Sequence, residues 1–385
     1  MNGFDRERMR RDRLESTYHA MKELNIDAIV ATTFDNVRYI SDCRPYFTAV
    51  YYTNAYAVVL AQGKQPIIQG PVVEGAPLGL APPVKGWNGY PMIPVPAIAS
   101  KWAYMVSTVL KDNGVESGRV GFDDFSFASY LEMAKQLPRI SIVPAFDAML
   151  KARAIKTPDE IVLLRKAAEI VDVGAKAGLA AIKPGVRERD VVAKMAAAMY
   201  EAGSEAEPWA GSVTSGERSL NSILTSDRTI KEGDFAVFDI GSIYEGYLGD
   251  IARTGAAGHA STQAREVYTA AYNALMAGTK LVKPGALSSE VDGKIRKTLG
   301  EARCSIPPLS TGHGIGVGAP EIPWITPREQ GIEDYEIKAG MVLCLEPRTS
   351  KDGVTSAGCE DTILVTETGH EILTRCSREE HLLTR

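Results

Sequence analysis

Apolar residues recur at helical spacing from residue 6 to residue 25, where Asn25 closes the pattern, and residues 27–33 (DAIVATT) then run nearly unbroken apolar. A helix followed by a strand is predicted. Residues 36–40 (NVRYI) read as a further short strand. Residues 56–70 (YAVVLAQGKQPIIQG) hold two apolar runs around Gln62-Gly63-Lys64 and read as a hairpin. Residues 75–96 carry six prolines and several glycines around Trp87. That composition predicts a long loop, either a surface excursion or a functional lid. Short strands and helices alternate from there to about Leu150, so residues 1–150 are expected to form an α/β domain.

The joint to the rest of the chain is legible. Residues 153–156 (RAIK) lead into Thr157-Pro158-Asp159-Glu160, which supplies an N-cap hydroxyl, a proline at the first helical position and a capping-box glutamate. The domain boundary is placed at residues 150–157, with the second domain at 151–385. That domain contains a weak internal repeat: Ala177-Gly178 through Lys183-Pro184-Gly185 is echoed by Ala277-Gly278 through Lys283-Pro284-Gly285. Each KPG is flanked by predicted helices and followed by strand-rich sequence. The pattern suggests a duplicated α+β unit with a pseudo-twofold axis and a site where the halves meet.

Composition narrows the function. The 385 residues are 24% charged and 45% hydrophobic with a net charge of −5, so two domains with ordinary cores are expected. No Lys/Arg block offers a footprint for nucleic acid, and no run approaches the roughly 20 apolar residues of a membrane helix. The basic start (MNGFDRERMRRDR) is interleaved with acids and lacks a following apolar region. Five scattered cysteines without CxxC spacing point to reduced thiols and a cytoplasmic protein. Five histidines are few, so a metal site must rely mainly on carboxylates.

Residues 235–255 (FAVFDIGSIYEGYLGDIARTG) place Asp239 inside an apolar strand, with Gly246 and Gly249 available for a turn or bulge and Asp250 on the next strand. A buried Asp is costly unless paired or bound to metal. A turn aspartate plus one paired with Arg253 is the alternative. The second half repeats the oddity: Glu346 ends the apolar MVLCL run, and Glu360 leads into TILV on a returning strand. Between the two hairpins lies Thr311-Gly312-His313-Gly314-Ile315-Gly316, which bends tightly around one imidazole. Four carboxylates and one histidine suit two adjacent divalent ions better than one, with Mn²⁺, Co²⁺ or Zn²⁺ compatible on ligand type. A metal pair roughly 3.5–4 Å apart can activate water and polarise a carbonyl. No GxSxG, HExxH, P-loop or GxGxxG pattern competes.

These residues resemble the pita-bread metallopeptidases: methionine aminopeptidase, aminopeptidase P, prolidase and the creatinase-type enzymes. The resemblance spans the chain, through NVRYISD, the IKTPDEI joint, the two Asp positions, GHGIG, LEPR and EDTILVTETG. It implies an α/β creatinase-like N-terminal domain and an α+β pita-bread C-terminal domain with internal pseudo-twofold duplication. It also implies that Asp239 holds one metal, His313 and Glu346 the other, and that Asp250 and Glu360 bridge. Glu346 and His313 would take part in the chemistry, Glu346 as proton shuttle, with a metal-bridged hydroxide attacking an amide carbonyl. A homodimer is the family's usual state.

The departures matter as well. Relatives usually carry a second histidine after GHGIG, where this chain has Pro320, and another before the first Asp, where it has Asn221 or Ser222. Many also place an arginine two residues before the last glutamate ligand, at the position of Gly358. Further pocket candidates are Arg44, Tyr46 and Tyr52 in a cluster with Asp42, Phe47 and Tyr51, then Trp209 and Glu217. Arg44 could hold a substrate carboxylate, and ordinary packing of the cluster is the alternative. The expectation is a dinuclear hydrolase resembling Xaa-Pro dipeptidase, acting on a dipeptide or small molecule, without nucleic-acid or membrane partners. A same-fold enzyme on a small non-peptide substrate, hydrolase or lyase, is the alternative, because both accessory histidines are missing. A catalytically silent binding protein is the reading from another class, and five retained ligand positions argue against it.

Overall fold

The computed structural model describes residues 3–45, 57–69, 73–74, 95–124, 126–209, 211–328, 332–379 and 382–383. Residues 75–94 of the expected loop, with Trp87, lie outside these, as do Tyr46, Phe47, Tyr51, Tyr52 and His381. The chain divides into two compact units, residues 2–153 and 154–385.

In the first unit Asp5 caps helix α1 (Arg6–Glu23) by accepting the Glu7 and Arg8 N–H groups, each at 3.0 Å. Strand β1 (Ala28–Ala31), α2 (Phe34–Ser41) and β2 (Arg44–Pro45) follow, then β3 (Ala57–Ala61), β4 (Ile67–Gln69) and β5 (Val73–Glu74). The unit closes with α3 (Val95–Asp112), β6 (Gly118–Phe122), α4 (Phe127–Gln136), β7 (Ile140–Pro144) and α5 (Phe146–Ala154). One mixed sheet runs β4-β3-β1-β6-β7, with the expected β3–β4 hairpin antiparallel at its edge. Val30, Val59, Trp102, Phe122 and Met133 fill its core.

The NVRYI segment is helical, not a strand. Every residue from Asn36 to Ser41 is buried, and within 36–40 the polar Asn36 and Arg38 alternate with Val37 and Tyr39, which mimics the period of a strand. The buried polar groups are answered internally: the Asn36 amide donates to Asp123 at 2.9 Å, and its oxygen accepts from Arg153 at 2.7 Å.

In the second unit α6 (Pro158–Ala181) starts at the expected capping box, where Thr157 N–H reaches Glu160 at 2.8 Å and Glu160 N–H reaches Thr157 Oγ1 at 3.3 Å. After α7 (Glu188–Glu201) come β8 (Ser212–Ser215), β9 (Phe235–Tyr244) and β10 (Tyr247–Ala256). The second half repeats the order with α8 (Thr262–Thr279), α9 (Ser288–Glu301), β11 (Gly312–Gly314), β12 (Glu321–Ile325) and β13 (Val342–Leu345). It ends with β14 (Arg348–Lys351), β15 (Thr355–Gly358), β16 (Asp361–Val365) and β17 (His370–Ile372). The sheets run β10-β9-β8 and β12-β11-β13-β16-β17.

The KPG repeat is structural. Gly185 (φ 88°) and Gly285 (φ 85°) occupy equivalent turns. Gly185 N–H donates to Ile230 O and Gly285 N–H to Ile337 O, each at 2.9 Å. Ile230 and Ile337 return the bond to Val186 and Ala286, each at 2.8 Å. Two copies of one α+β unit therefore stand in the pseudo-twofold relation that the sequence repeat suggested.

Gly246 and Gly249 have different roles. Glu245 (φ 49°) and Gly246 (φ 83°) form the two-residue turn between β9 and β10. Gly249 makes no turn: it lies within β10, where a Cβ would sit 2.5 Å from Ala167 O of α6. Replacing Gly249 with Ala should therefore cost about 1–3 kcal/mol of unfolding free energy. Gly293→Ala, at an exposed α9 site with nothing within 4 Å, should instead stabilise by about 0.5–1 kcal/mol. Urea denaturation of both variants checks the pair, and equal midpoints would contradict the packing assignment.

Candidate metal centre

Strand register brings the four carboxylates together. Asp239 lies opposite Ala252 and Asp250 opposite Gly241, so the two aspartates share one face of the β9–β10 ribbon as a diagonal pair. His313 lies opposite Cys344, and Cys344 opposite Thr362, so these three side chains also share a face. Glu346 follows β13 by one residue and Glu360 precedes β16 by one. The halves are joined at the site: Glu360 N–H donates to Ala252 O at 3.0 Å, and the Thr362 hydroxyl to Asp250 O at 2.8 Å.

Two groups of potential ligand atoms result, each within 4.8 Å: Asp250, His313, Cys344 and Glu360, and then Asp239, Glu346 and Glu360. His313 Nε2 lies 3.8 Å from Asp250 Oδ2 and 3.7 Å from Glu346 Oε1. The His313 Nδ1–H donates to Gly314 O at 3.0 Å, which turns the Nε2 lone pair toward the acids. Asp250 is 4% exposed and Glu360 1%. Asp250 Oδ1 and both Glu360 carboxylate oxygens are buried without a hydrogen-bond partner.

Protonation follows from this crowding. Burial, and then the neighbouring acids, push Asp250 and Glu360 well above the usual carboxylate range. Burial, then the charge of Glu346, raises Asp239 to about 6 against opposing pulls that include an indole N–H bond from Trp209. Burial raises Glu346 to about 7 and lowers His313. Desolvated carboxylates with unpaired oxygens and one imidazole are the donor set that divalent cations require, so the residues fit such ions. Arg253 does not supply the missing charge. It is fully buried on the other face and pairs with Asp361 at 2.9 Å, not with Asp250.

The glycines around His313 serve close approach rather than positive φ. A Cβ on Gly312 would lie 2.3 Å from Cys344 O, and one on Gly314 2.2 Å from Ile322 O. β11 is thus squeezed between β12 and β13. Beyond it, Glu321 accepts from Gly318 N–H and from Lys156 Nζ, each at 3.0 Å, in an ion pair with both side chains buried.

The remaining expected positions fall differently. Trp209 borders Asp239, its ring packed against Gly241. Ser222 reaches the site through its backbone, because its carbonyl accepts from Arg348 at 3.4 Å while its hydroxyl accepts from Leu224 N–H. Pro320 and Asn221 are exposed, and Glu217 opens onto a separate cleft with Arg228 and Lys231. Arg44 is exposed on β2 opposite Glu74 in the other unit. In that unit Asp42 is a structural acid, bound by Arg6, Arg10 and Arg13 at 3.2, 2.8 and 3.0 Å. Cys344 and Arg348 come to the site without having been singled out. The signal was parity: residues two apart from a ligand on an extended chain share its face.

A duplicated α+β unit with an acid cluster where its halves join is the architecture of a metal-dependent hydrolase. Residues 162–367 match the model of metallopeptidase family M24, and residues 13–155 match the creatinase/prolidase N-terminal domain. The chain belongs to metallopeptidase family M24, with the two-domain pita-bread fold and the family's dependence on divalent metal. It is 33% identical to a Xaa-Pro dipeptidase of Pyrococcus furiosus over 254 residues, 65% of this chain and 72% of that one. It is 28% identical to the Xaa-Pro dipeptidase of Pyrococcus horikoshii over 377 residues, 96% and 98% of the two chains. The solved Xaa-Pro dipeptidase from Bacillus anthracis superposes with a TM-score of 0.80 at 26% identity, covering 96% and 98%.

The raised acids give metal-free protein a defined pH response. Asp239 and Glu346 titrate near 6 and 7 when folded and near 3.8 and 4.5 when unfolded. The folded state binds more protons across that window, so its stability is greatest below about pH 4 on this account and falls as pH rises toward about 7. Chelated protein should lose several degrees of melting temperature between about pH 5 and 8, and added divalent metal should reverse the loss. A chelated protein that gains stability over that range would contradict the cluster's electrostatics.

Proposed function

We propose that this chain hydrolyses the amide bond of Xaa-Pro dipeptides, with two divalent cations held by Asp239, Asp250, His313, Glu346 and Glu360. The observation that carries the proposal is the set of unpartnered buried oxygens on Asp250 and Glu360, with Glu360 common to both groups of ligand atoms. The dipeptidase names of its relatives supply the substrate class. When bound, the divalent ions contribute Lewis acidity, polarising a carbonyl and lowering the pKa of water. Mn²⁺, Co²⁺ and Zn²⁺ all suit the donors, and a cytoplasmic homodimer belongs to the same reading.

The chain's own residues do the rest. Glu360, the one residue in both groups of ligand atoms, would contribute to both ions, with Asp250 and His313 in one group and Asp239 and Glu346 in the other. Gly314 O fixes the imidazole so that Nε2 stays available. Glu346 is the most exposed ligand, with a third of its side chain accessible, and so is the acid that can meet a substrate. It takes a proton from attacking water at Oε1 and delivers it to the leaving nitrogen.

A screen of metal-supplemented protein against Xaa-Pro dipeptides should find turnover. Asp250→Ala should bind at most half the metal of the parent by elemental analysis and lose about 10²–10⁴-fold in kcat. An Asp250→Ala protein with normal metal content and normal turnover would overturn the assignment.

A further inference from the structure

Arg348 has no role in the ligand set, yet its charge lies against it. β14 and β15 pair with Arg348 directly opposite Gly358. Gly358 has no side chain to share that face, and the arginine stem passes over it at ordinary contact distance: a Cβ there would lie 3.4 Å from Val237 Cγ1, 3.7 Å from Arg348 Cγ and 3.8 Å from Arg348 Cβ. The stem carries the guanidinium over to β8, where Nη2 donates to Thr214 Oγ1 at 3.2 Å. Thr214 is two residues from Ser212, the residue opposite Asp239, so the guanidinium lies on the ligand-bearing face of that sheet. Nη2 also reaches Ser219 O at 3.5 Å and Ser222 O at 3.4 Å. All three acceptors are neutral and all engage one nitrogen. Among the described residues Nη1 and Nε have no acceptor and the guanidinium has no ion-pair partner.

Charge balance then indicates what the free donors meet. Without metal, Arg348 is offset by the acid cluster, with Asp239 nearest in effect. Two divalent cations would neutralise the four carboxylates, leaving the Arg348 charge in surplus inside a site largely screened from water. A partly buried guanidinium without a counter-charge is unfavourable, and an anionic group of the substrate would remove the surplus.

We propose that Arg348 binds the carboxylate of the substrate through Nη1 and Nε, delivering from β14 a cation that the facing position, Gly358, lacks. The proposal rests on the hydrolase reading for its substrate, and it makes Arg348 a specificity residue that discriminates free acids from their uncharged amides.

The test uses metal-loaded protein and two substrates, Ala-Pro and its C-terminal amide. Arg348→Gln should raise KM for the acid about 10- to 100-fold, with kcat little changed and KM for the amide unaltered. The double variant Arg348→Gly/Gly358→Arg moves the guanidinium to the facing strand, where a side chain fits at ordinary contact distance, and should recover most of the loss. A folded, metal-replete Arg348→Gln protein that treats acid and amide as the parent does would overturn the proposal. Calorimetric titration with free proline separates this from failure of the hydrolase reading, because it needs no turnover. Weaker proline binding by Arg348→Gln supports the assignment even if no dipeptide is cleaved. Equal affinity, or no proline binding by the parent, overturns it.

Discussion

Four carboxylates that cannot all be ionised in a dry site are the constraint on which the catalytic unit is built. Asp239, Asp250, Glu346 and Glu360 are each raised above their ordinary range by burial, and three of the four also feel a neighbouring acid. Their mutual repulsion costs stability wherever cations are absent. The surrounding structure must therefore supply rigidity that the cluster does not. The capped helix α6, the two KPG turns and the squeezed β11 strand all do so from outside the cluster.

Duplication explains how such a site can be assembled. Each half offers a hairpin whose exposed face would be a poor place for a lone acid, and joining the halves turns two such faces toward each other. The Glu360 N–H and Thr362 hydroxyl bonds to β10 carbonyls tie this junction through backbone and neutral groups. Among the described residues, the carboxylates that hydrogen-bond across the halves, Asp361 and Asp172 among them, lie outside the cluster of four ligand acids. The acids thus remain available to metal, which the family requires.

Much of this was legible in the sequence because its signals are local. The Thr157-Glu160 capping box, the β9–β10 turn at Glu245-Gly246 and the carboxylates inside apolar runs each depend on neighbours a few residues away. What stayed hidden depends on packing. The 36–40 segment reads as a strand because its polar and apolar residues alternate, and the helical spacing of Phe34, Val37 and Ile40 shows only over the whole of α2. Gly249 reads as a turn glycine because the sequence does not show α6 lying across it. Arg348 was passed over because its meaning depends on a strand pairing with Gly358.

The same pleat that gathers the acids keeps the chain's own cations away from them. Arg253 follows Ala252 and Asp361 follows Glu360, so each lies one residue out of phase with a ligand position or its neighbour. Alternation sends both to the opposite face, where they pair at 2.9 Å and the arginine also grips the carbonyls of Cys376 and Ser377. Lys156 is likewise consumed by Glu321. Each strong cation that could collapse the site into an internal ion pair is thus matched to another acid, and Arg348, held by neutral acceptors, is the exception among the described residues near the cluster. A site that excludes internal counter-charges so consistently has its vacant charge reserved for ligands: positive charge for the acids, and an anion for the arginine.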